Sequence, residues 1–339
     1  MVRSFRFGGY TCTTAIVAAD ELYAGLDTDL FALADVNTAQ YLPASAQRLE
    51  LPTGETWKSW NALGQILDRM LDADLTRDST VVGVGGGVVT DIAACAASLY
   101  MRGCTLILVP TSLLAMVDAA IGGKTGVNFG GYKNMVGTFY PAREVRIAPE
   151  VLRTLPEREF RSGLAEAIKT ALLGDEALLD LLEREPDRVL ARDPDLLADA
   201  VWRCVEVKGG IVEADLVESG VRAYLNLGHT FAHALESVEG LGVWTHGEAV
   251  AWGLAQAMRL GVASGITDAA YARRVRSILE RYEYRVDPLP AIADAVRDAM
   301  NKDKKRRRAG VRFVLQRRLG ETTITEVGAD ALDAVLRGG

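Results

Sequence analysis

The sequence predicts an α/β N-terminal domain built on a parallel sheet, followed by a mainly α-helical C-terminal domain. Short apolar runs alternate with amphipathic segments through residues 1–150. A cluster of glycines stands between one such run and the helical segment after it. Residues 151–339, by contrast, are almost entirely of helical length and period.

Residues 30–34 form an apolar run ending at Asp35, residues 80–84 form a second that enters Gly83-Val-Gly-Gly-Gly87, and residues 105–109 form a third, closed by Pro110. Between them, residues 57–75 and 91–101 have the length and period of helices. That alternation predicts a mostly parallel, helix-covered sheet of Rossmann-like type. From about Pro149 the texture changes. Residues 157–173, 176–185, 193–213, 230–238, 248–264 and 269–282 read as helices, with Pro156, Pro186, Pro194 and Pro288 marking starts and breaks. Only residues 311–315 and 321–325 look extended. There is neither an internal repeat nor a low-complexity linker, so the domains, 1–150 and 151–339, are expected to pack closely around a cleft.

Composition narrows the function classes. Nearly half of the 339 residues are hydrophobic and a quarter are charged, the balance of a soluble globular protein. A formal net charge of -7 gives the surface no general attraction for nucleic acid. Cys12, Cys95, Cys104 and Cys204 lack the paired spacing of a zinc ribbon or disulfide framework, and the start of the chain lacks the apolar core of an export signal. A reduced, cytoplasmic setting is the expectation. Residues 81–100 are apolar enough to suggest a membrane span, but Asp91 and four glycines interrupt them, so a strand, a turn and a buried helix are expected instead. The basic run at 302–308 has no interleaved aromatics and reads as a solvated loop, with one lysine free to turn into the cleft.

Three groups of residues have the chemistry for a site. The glycine cluster, between a strand and a helix, suits either a dinucleotide pyrophosphate or simply a tight turn, since its spacing is not a clean G-x-G-x-x-G. Asp35 suits either ribose hydroxyls or a helix cap. The chain's three histidines, His229, His233 and His246, lie within eighteen residues of one another, which points to a metal or acid–base site. Thr230 stands where a zincin helix carries its catalytic Glu, so that protease chemistry is excluded. A carboxylate must complete the site, and Glu166 and Glu248 are the candidates. Finally, Lys124, Lys133, Lys169, Lys208 and Arg222 sit within apolar or glycine-rich segments. Each alone would read as a snorkelling surface cation; beside a His–carboxylate cluster they suggest a multiply anionic small molecule.

Together these motifs resemble the 3-dehydroquinate synthase family of sugar-phosphate cyclases. Gly85-Gly-Gly-Val-Val-Thr-Asp91, Pro110-Thr-Ser-Leu-Leu114, Val117-Asp-Ala-Ala-Ile-Gly-Gly-Lys-Thr125 and Lys133-Asn-Met-Val-Gly137 match successive blocks. So do Thr154-Leu-Pro156, Ser162-Gly-Leu-Ala-Glu-Ala-Ile-Lys169, Arg222-Ala-Tyr-Leu-Asn-Leu-Gly-His-Thr-Phe231 and His246-Gly-Glu-Ala-Val250, in the family's order. The resemblance implies a shikimate-pathway lyase of aromatic amino acid biosynthesis. It would convert 3-deoxy-D-arabino-heptulosonate 7-phosphate to 3-dehydroquinate and phosphate, by transient NAD-dependent oxidation, phosphate elimination, reduction and intramolecular aldol closure.

The resemblance also implies roles. Glu166, His229 and His246 would bind a divalent metal, zinc or cobalt. Phosphate would fall to Asn134, Lys169, Asn226, His233 and one of Lys304 and Lys305, with Arg102 reaching from the second subunit of a homodimer. Lys124 and Arg222 would take the substrate carboxylate, and Asp118 and Lys208 the ring hydroxyls. NAD would be held by Asp35, Asn37, Glu55, Lys58, Gly86, Gly87, Asp91, Thr111, Ser112, Lys133 and Thr154. The partners implied are a sugar phosphate and a second copy of the chain, with no nucleic acid and no membrane.

The sequence departs from the family pattern at Thr90 and Tyr132, which replace glycines, at Gly126, which replaces alanine, and at Leu216, which replaces an acidic residue. These leave open a sister cyclase acting on sedoheptulose 7-phosphate or an amino-sugar acid, although Arg222 and Asn226 argue against a carboxylate-free substrate. Iron-type polyol dehydrogenases are a second alternative, but a simple polyol would not need this set of cations. A nucleic-acid module around 302–308 is a third and would predict salt-sensitive binding.

Overall fold

A hairpin that the sequence conceals opens the chain in the computed structural model: Val2–Phe7 (β1) and Tyr10–Ile16 (β2) pair antiparallel, from Val2 opposite Ala15 to Phe7 opposite Tyr10. Only Phe5 and Phe7 of β1 are buried, so no apolar run marks it. The structure describes residues 1–26, 29–240, 242–306 and 311–338, with backbone alone for 303–306.

Leu30–Asp35 (β3) follows, then Gln47–Leu51 (β4), the helix Trp60–Asp72 (α1), Thr80–Gly85 (β5), the helix Gly87–Leu99 (α2) and Thr105–Pro110 (β6). A small hairpin of Val127–Phe129 (β7) and Tyr132–Val136 (β8) precedes Glu144–Ile147 (β9). Seven strands form one sheet in the order β1-β2-β9-β6-β5-β3-β4, parallel everywhere except at the first hairpin. The strands that the sequence predicts, β3, β5 and β6, are the central ones, buried on both faces and therefore continuously apolar. Those it does not predict carry a weaker signal: β4 is an edge strand with Leu51 alone buried, and β9 has four residues.

From β3 the chain moves outward to β4, whereas from neighbouring β5 it moves the other way to β6. This divergence makes a topological switch point, where open α/β sheets bind ligands beyond the carboxyl ends of their strands. Asp35 and the Gly85–Gly87 turn lie at the carboxyl ends of these two strands.

The second half is helical, as predicted: Glu157–Leu172 (α3), Glu176–Arg184 (α4), Pro186–Leu190 (α5), Pro194–Ala214 (α6), His229–Glu239 (α7), His246–Ala263 (α8) and Ala269–Arg281 (α9). Next come Ala293–Arg306 (α10), the short antiparallel pair Phe313–Gln316 (β10) and Thr322–Thr325 (β11), and Ala329–Arg337 (α11). The loop expected over 302–308 is corrected for residues 302–306, whose backbone continues α10; Arg307 and Arg308 lie outside the described residues. Lysines and arginines tolerate a helix well, so a run of them does not mark a loop.

Two compact units result. One comprises Met1–Pro156 together with Pro194–Ser219, and the other Glu157–Asp193 together with Gly220–Gly339. Helix α6 thus belongs to the first unit, where it packs on β1: the ring of Phe5 occupies the space that a Cβ on Gly209 would need. Residues 81–100 are the rest of β5, the glycine turn, α2 and Tyr100, and no helix among the described residues is long and apolar enough to cross a membrane.

Candidate active site

In the second unit, three helices deliver one cluster. Glu166 lies mid-way along α3, His229 is the first residue of α7, and His246 is the first residue of α8. Helix α8 starts where it does because Thr245 and Glu248 form a capping box: the Thr245 side chain accepts from the Glu248 amide at 3.1 Å, and Glu248 Oε2 accepts from the Thr245 amide at 2.6 Å. Glu248 is also paired with Arg158. Of the two carboxylates proposed from the sequence, then, Glu248 shapes the helix end and Glu166 enters the cluster. Gly247 lets α8 meet α3, since its amide donates to Ser162 Oγ at 3.0 Å and a Cβ there would overlap Ser162 O. His246 Nε2 is consequently 3.3 Å from Glu166 Oε1, and His229 Nε2 is 3.5 Å from the same atom.

One donor atom from each of Glu166, His229 and His246 lies within 4.8 Å of the other two. Glu166 is completely buried, and neither of its oxygens receives a well-directed hydrogen bond, although Lys169, one helical turn on, makes an ion pair with Oε2. Burial opposes its charge, but Lys169 and both histidines outweigh burial and hold the carboxyl well below its ordinary range. Burial, then Lys169, push His229 down to about 3, so its ring is neutral. Leu227 O lies 3.2 Å from His229 Nδ1. A carbonyl can only accept, so Nδ1 carries the proton and Nε2 turns its lone pair toward Glu166. For His246 burial again disfavours charge, but Glu166 and Glu236 prevail and push it up to about 10. A buried carboxylate without proper hydrogen bonds, facing two imidazole nitrogens, fits a divalent cation.

His233 follows His229 by one turn of α7; its ring centroid is 5.4 Å from that of His229 and 6.4 Å from that of His246. It is exposed and stands outside the three-residue donor set. Arg222 is buried in the 3-10 turn Val221–Asn226, which also carries Asn226, directly before α7. A cavity of about 680 Å³ in the same unit, walled by Arg161, Trp244 and residues 288–292, includes Glu248 but none of the cluster.

Most of the remaining candidates lie in the first unit, Asp35, Gly86, Gly87, Thr111 and Ser112 among them at the carboxyl ends of its central strands. Asp35 Oδ1 accepts from the amides of Asn37 and Thr38 at 3.0 and 3.1 Å, an Asx-type turn at the strand end; the short 3-10 helix after it, Ala39–Tyr41, begins at Thr38 and has no side-chain cap. Gly86 precedes α2 without any side-chain cap, leaving the first amides of that helix for an anion. A Cβ on Gly85 would fall 2.6 Å from Val89 Cβ, so the tight turn itself demands glycine there. Thr111 is buried and donates its amide to Gly85 O at 2.9 Å, and Ser112 Oγ faces Gly86. Thr154 Oγ1 is 3.0 Å from Tyr41 Oη.

Lys58 is buried, ion-paired with Asp91, and donates to Asn134 Oδ1 at 2.6 Å. Burial raises the Asp91 carboxyl, opposed by Lys58. Asn128 completes this network: it donates to Glu55 Oε1 at 2.8 Å and accepts from the Asn134 amide at 2.9 Å. Lys208 donates to both the backbone O and Oδ1 of Asp118 at 2.6 Å, and Asp118 sits on a π-helical turn, Ala115–Ala119. Lys124 is ion-paired with Glu218. Lys133 is exposed on β8, and Arg102 is exposed with φ of +66°, after Met101 at +47°. The side chains of Lys304 and Lys305 lie outside the described residues.

Sequence reasoning missed Asn128, Glu218 and Glu236. The first two act through contacts distant in sequence, but Glu236 had a local signal, being seven residues after His229 and so on the same helix face.

Comparison with known proteins follows the same outline. Residues 48–162 match the family described as 3-dehydroquinate synthase N-terminal, and residues 163–306 that described as 3-dehydroquinate synthase C-terminal. A 3-dehydroquinate synthase of Geobacter metallireducens is 44% identical over 283 residues, covering 84% of this chain and 79% of the relative. Among solved structures, a 2-deoxy-scyllo-inosose synthase complexed with carbaglucose-6-phosphate, NAD+ and Co2+ superimposes with a TM-score of 0.89 at 23% identity, covering 100% of both chains. ValA, the 2-epi-5-epi-valiolone synthase of Streptomyces hygroscopicus subsp. jinggangensis 5008, with NAD+ and Zn2+ bound, gives 0.86 at 29% identity, covering 99% of this chain and 98% of that one.

Proposed function

The chain belongs to the 3-dehydroquinate synthase family and is an enzyme of the phosphate-eliminating cyclase type, and from that premise we propose that it converts 3-deoxy-D-arabino-heptulosonate 7-phosphate to 3-dehydroquinate and phosphate. The observation that carries this reading is the Glu166–His229–His246 cluster, built around a fully buried carboxylate with Lys169 against it, metal-ligand chemistry beside a cation. When bound, NAD supplies a reversible hydride acceptor and zinc or cobalt a Lewis acid for the hydroxyl being oxidised.

In this proposal Glu166, His229 and His246 would hold the metal. Gly86 and Gly87 would offer their amides to the NAD pyrophosphate, with Asp35, Asn37, Glu55, Lys58, Asp91, Thr111, Ser112, Lys133 and Thr154 around the rest of the cofactor. Asn134, Lys169, Asn226, His233 and Lys304 or Lys305 would bind the substrate phosphate, joined by Arg102 from the second subunit of a homodimer. Lys58 donates to Asn134 Oδ1, which would leave the amide NH2 of Asn134 as the donor to that phosphate. Lys124 and Arg222 would orient the carboxylate. The pairing of Lys124 with a Glu218 carboxylate supports that affinity. Asp118, its carboxylate held by Lys208, would accept from ring hydroxyls.

The test is phosphate release from the heptulosonate phosphate by purified protein with Zn2+ or Co2+ and substoichiometric NAD+, beside a sedoheptulose 7-phosphate control. Many turnovers per NAD+ without NADH build-up are expected. Stoichiometric NADH would instead identify a dehydrogenase, and equal use of the carboxylate-free sugar would identify a sister cyclase.

A further inference from the structure

Resting on the metal-dependent reading above, we infer that Glu236 is a positioning residue for the ion: its carboxylate holds the His246 ring so that Nε2 faces Glu166 and His229. His246 Nδ1 lies 3.6 Å from Glu236 Oε1, while Nε2 lies 3.3 Å from Glu166 Oε1. The two nitrogens of an imidazole point apart, so a carboxylate at each fixes the ring's rotation. His246 needs such a hold. It is the first residue of α8 and its side chain is 34% exposed, whereas His229 is more deeply buried and tied to Leu227 O.

Glu236 can serve because α7 carries it on the stripe of its histidines: residues 229, 233 and 236 follow the i, i+4, i+7 spacing of one helix face. Its side chain is 12% exposed, so water screens the contact little. Once an ion occupies Nε2, the proton of His246 resides on Nδ1, where Glu236 accepts it. A charged acceptor also makes the opposite nitrogen a stronger donor than a backbone carbonyl would, so the two histidine ligands are unequal.

The test is a chelator-competition titration with Zn2+, and with Co2+ read by its visible spectrum, on wild type, Glu236→Ala, Glu236→Gln and His246→Ala. Removing such an outer partner weakens metal affinity by roughly 10- to 100-fold. Glu236→Ala should show that loss and a changed Co2+ spectrum, with the far-UV circular dichroism of the metal-free protein unaltered. Glu236→Gln, whose amide oxygen still accepts from Nδ1–H, should recover much of the affinity and would carry the test if the Ala variant failed to fold. Wild-type affinity and spectrum in both Glu236 variants, with metal lost in His246→Ala, would overturn the positioning role and leave the metal site standing. A wild type that takes up neither ion would remove both.

Discussion

Glu166 and Glu248 show what a residue-level reading can and cannot reach. Both carboxylates are near histidines in sequence or by motif, and the need for one carboxylate among three histidines was legible. Residue chemistry alone does not choose between them; the family resemblance selects Glu166, and the structure supplies the physical reason, since Glu248 is consumed by the α8 capping box and by Arg158. Replacing Glu166, His229 or His246 with Ala should therefore abolish stoichiometric metal in a folded protein, measured by elemental analysis after gel filtration. Glu248→Ala should keep the metal and lower stability by about 1 kcal/mol, the worth of a cap. His233→Ala should likewise keep the metal but bind the phosphate-bearing substrate more weakly. Full metal content in His246→Ala would refute the cluster. Arg222 carries the substrate prediction. A guanidinium matches a carboxylate bidentately, and truncating one partner of such a pair costs about 2–5 kcal/mol. Arg222→Ala should thus lower kcat/KM for the heptulosonate at least ~30-fold and narrow its advantage over sedoheptulose 7-phosphate. An unchanged ratio between the two substrates would detach Arg222 from the carboxylate.

Among elements, the central strands and long helices were legible because each is covered by its neighbours and so is written in continuous or periodic apolar residues. The N-terminal hairpin, β4, the β7–β8 hairpin and α10 were not, since they bury few side chains or are largely charged. Contacts made by small residues are equally silent in sequence. Gly247 reads as an ordinary glycine until α3 is seen against it. Gly247→Ala would drive a methyl into the Ser162 carbonyl, and overpacking of this kind costs about 1–3 kcal/mol. Since the helix start that moves carries His246, we expect metal affinity to fall along with the thermal midpoint. A variant that kept the wild-type affinity would show that α8 can shift without disturbing its first residue.

For the whole molecule, the sequence divided the chain once, near residue 150, whereas the first unit is assembled from two stretches, Met1–Pro156 and Pro194–Ser219. Nothing in the composition of α6 says which unit it joins; the surface that receives it is β1, with the ring of Phe5 against Gly209. A fragment ending at residue 156 should accordingly lack a cooperative melt and bind the dye ANS, and a sharp thermal transition in it would show α6 to be dispensable. Time enters here as well. Synthesis proceeds at about 5–20 residues per second, and the segment that covers Phe5 is made some two hundred residues after it. The first strand to be made therefore stands without its cover for roughly 10–40 s at that rate. During that interval the nascent chain presents the Phe5 ring without the helix that later covers it, transiently exposed apolar surface of the kind that promotes aggregation and calls for chaperones.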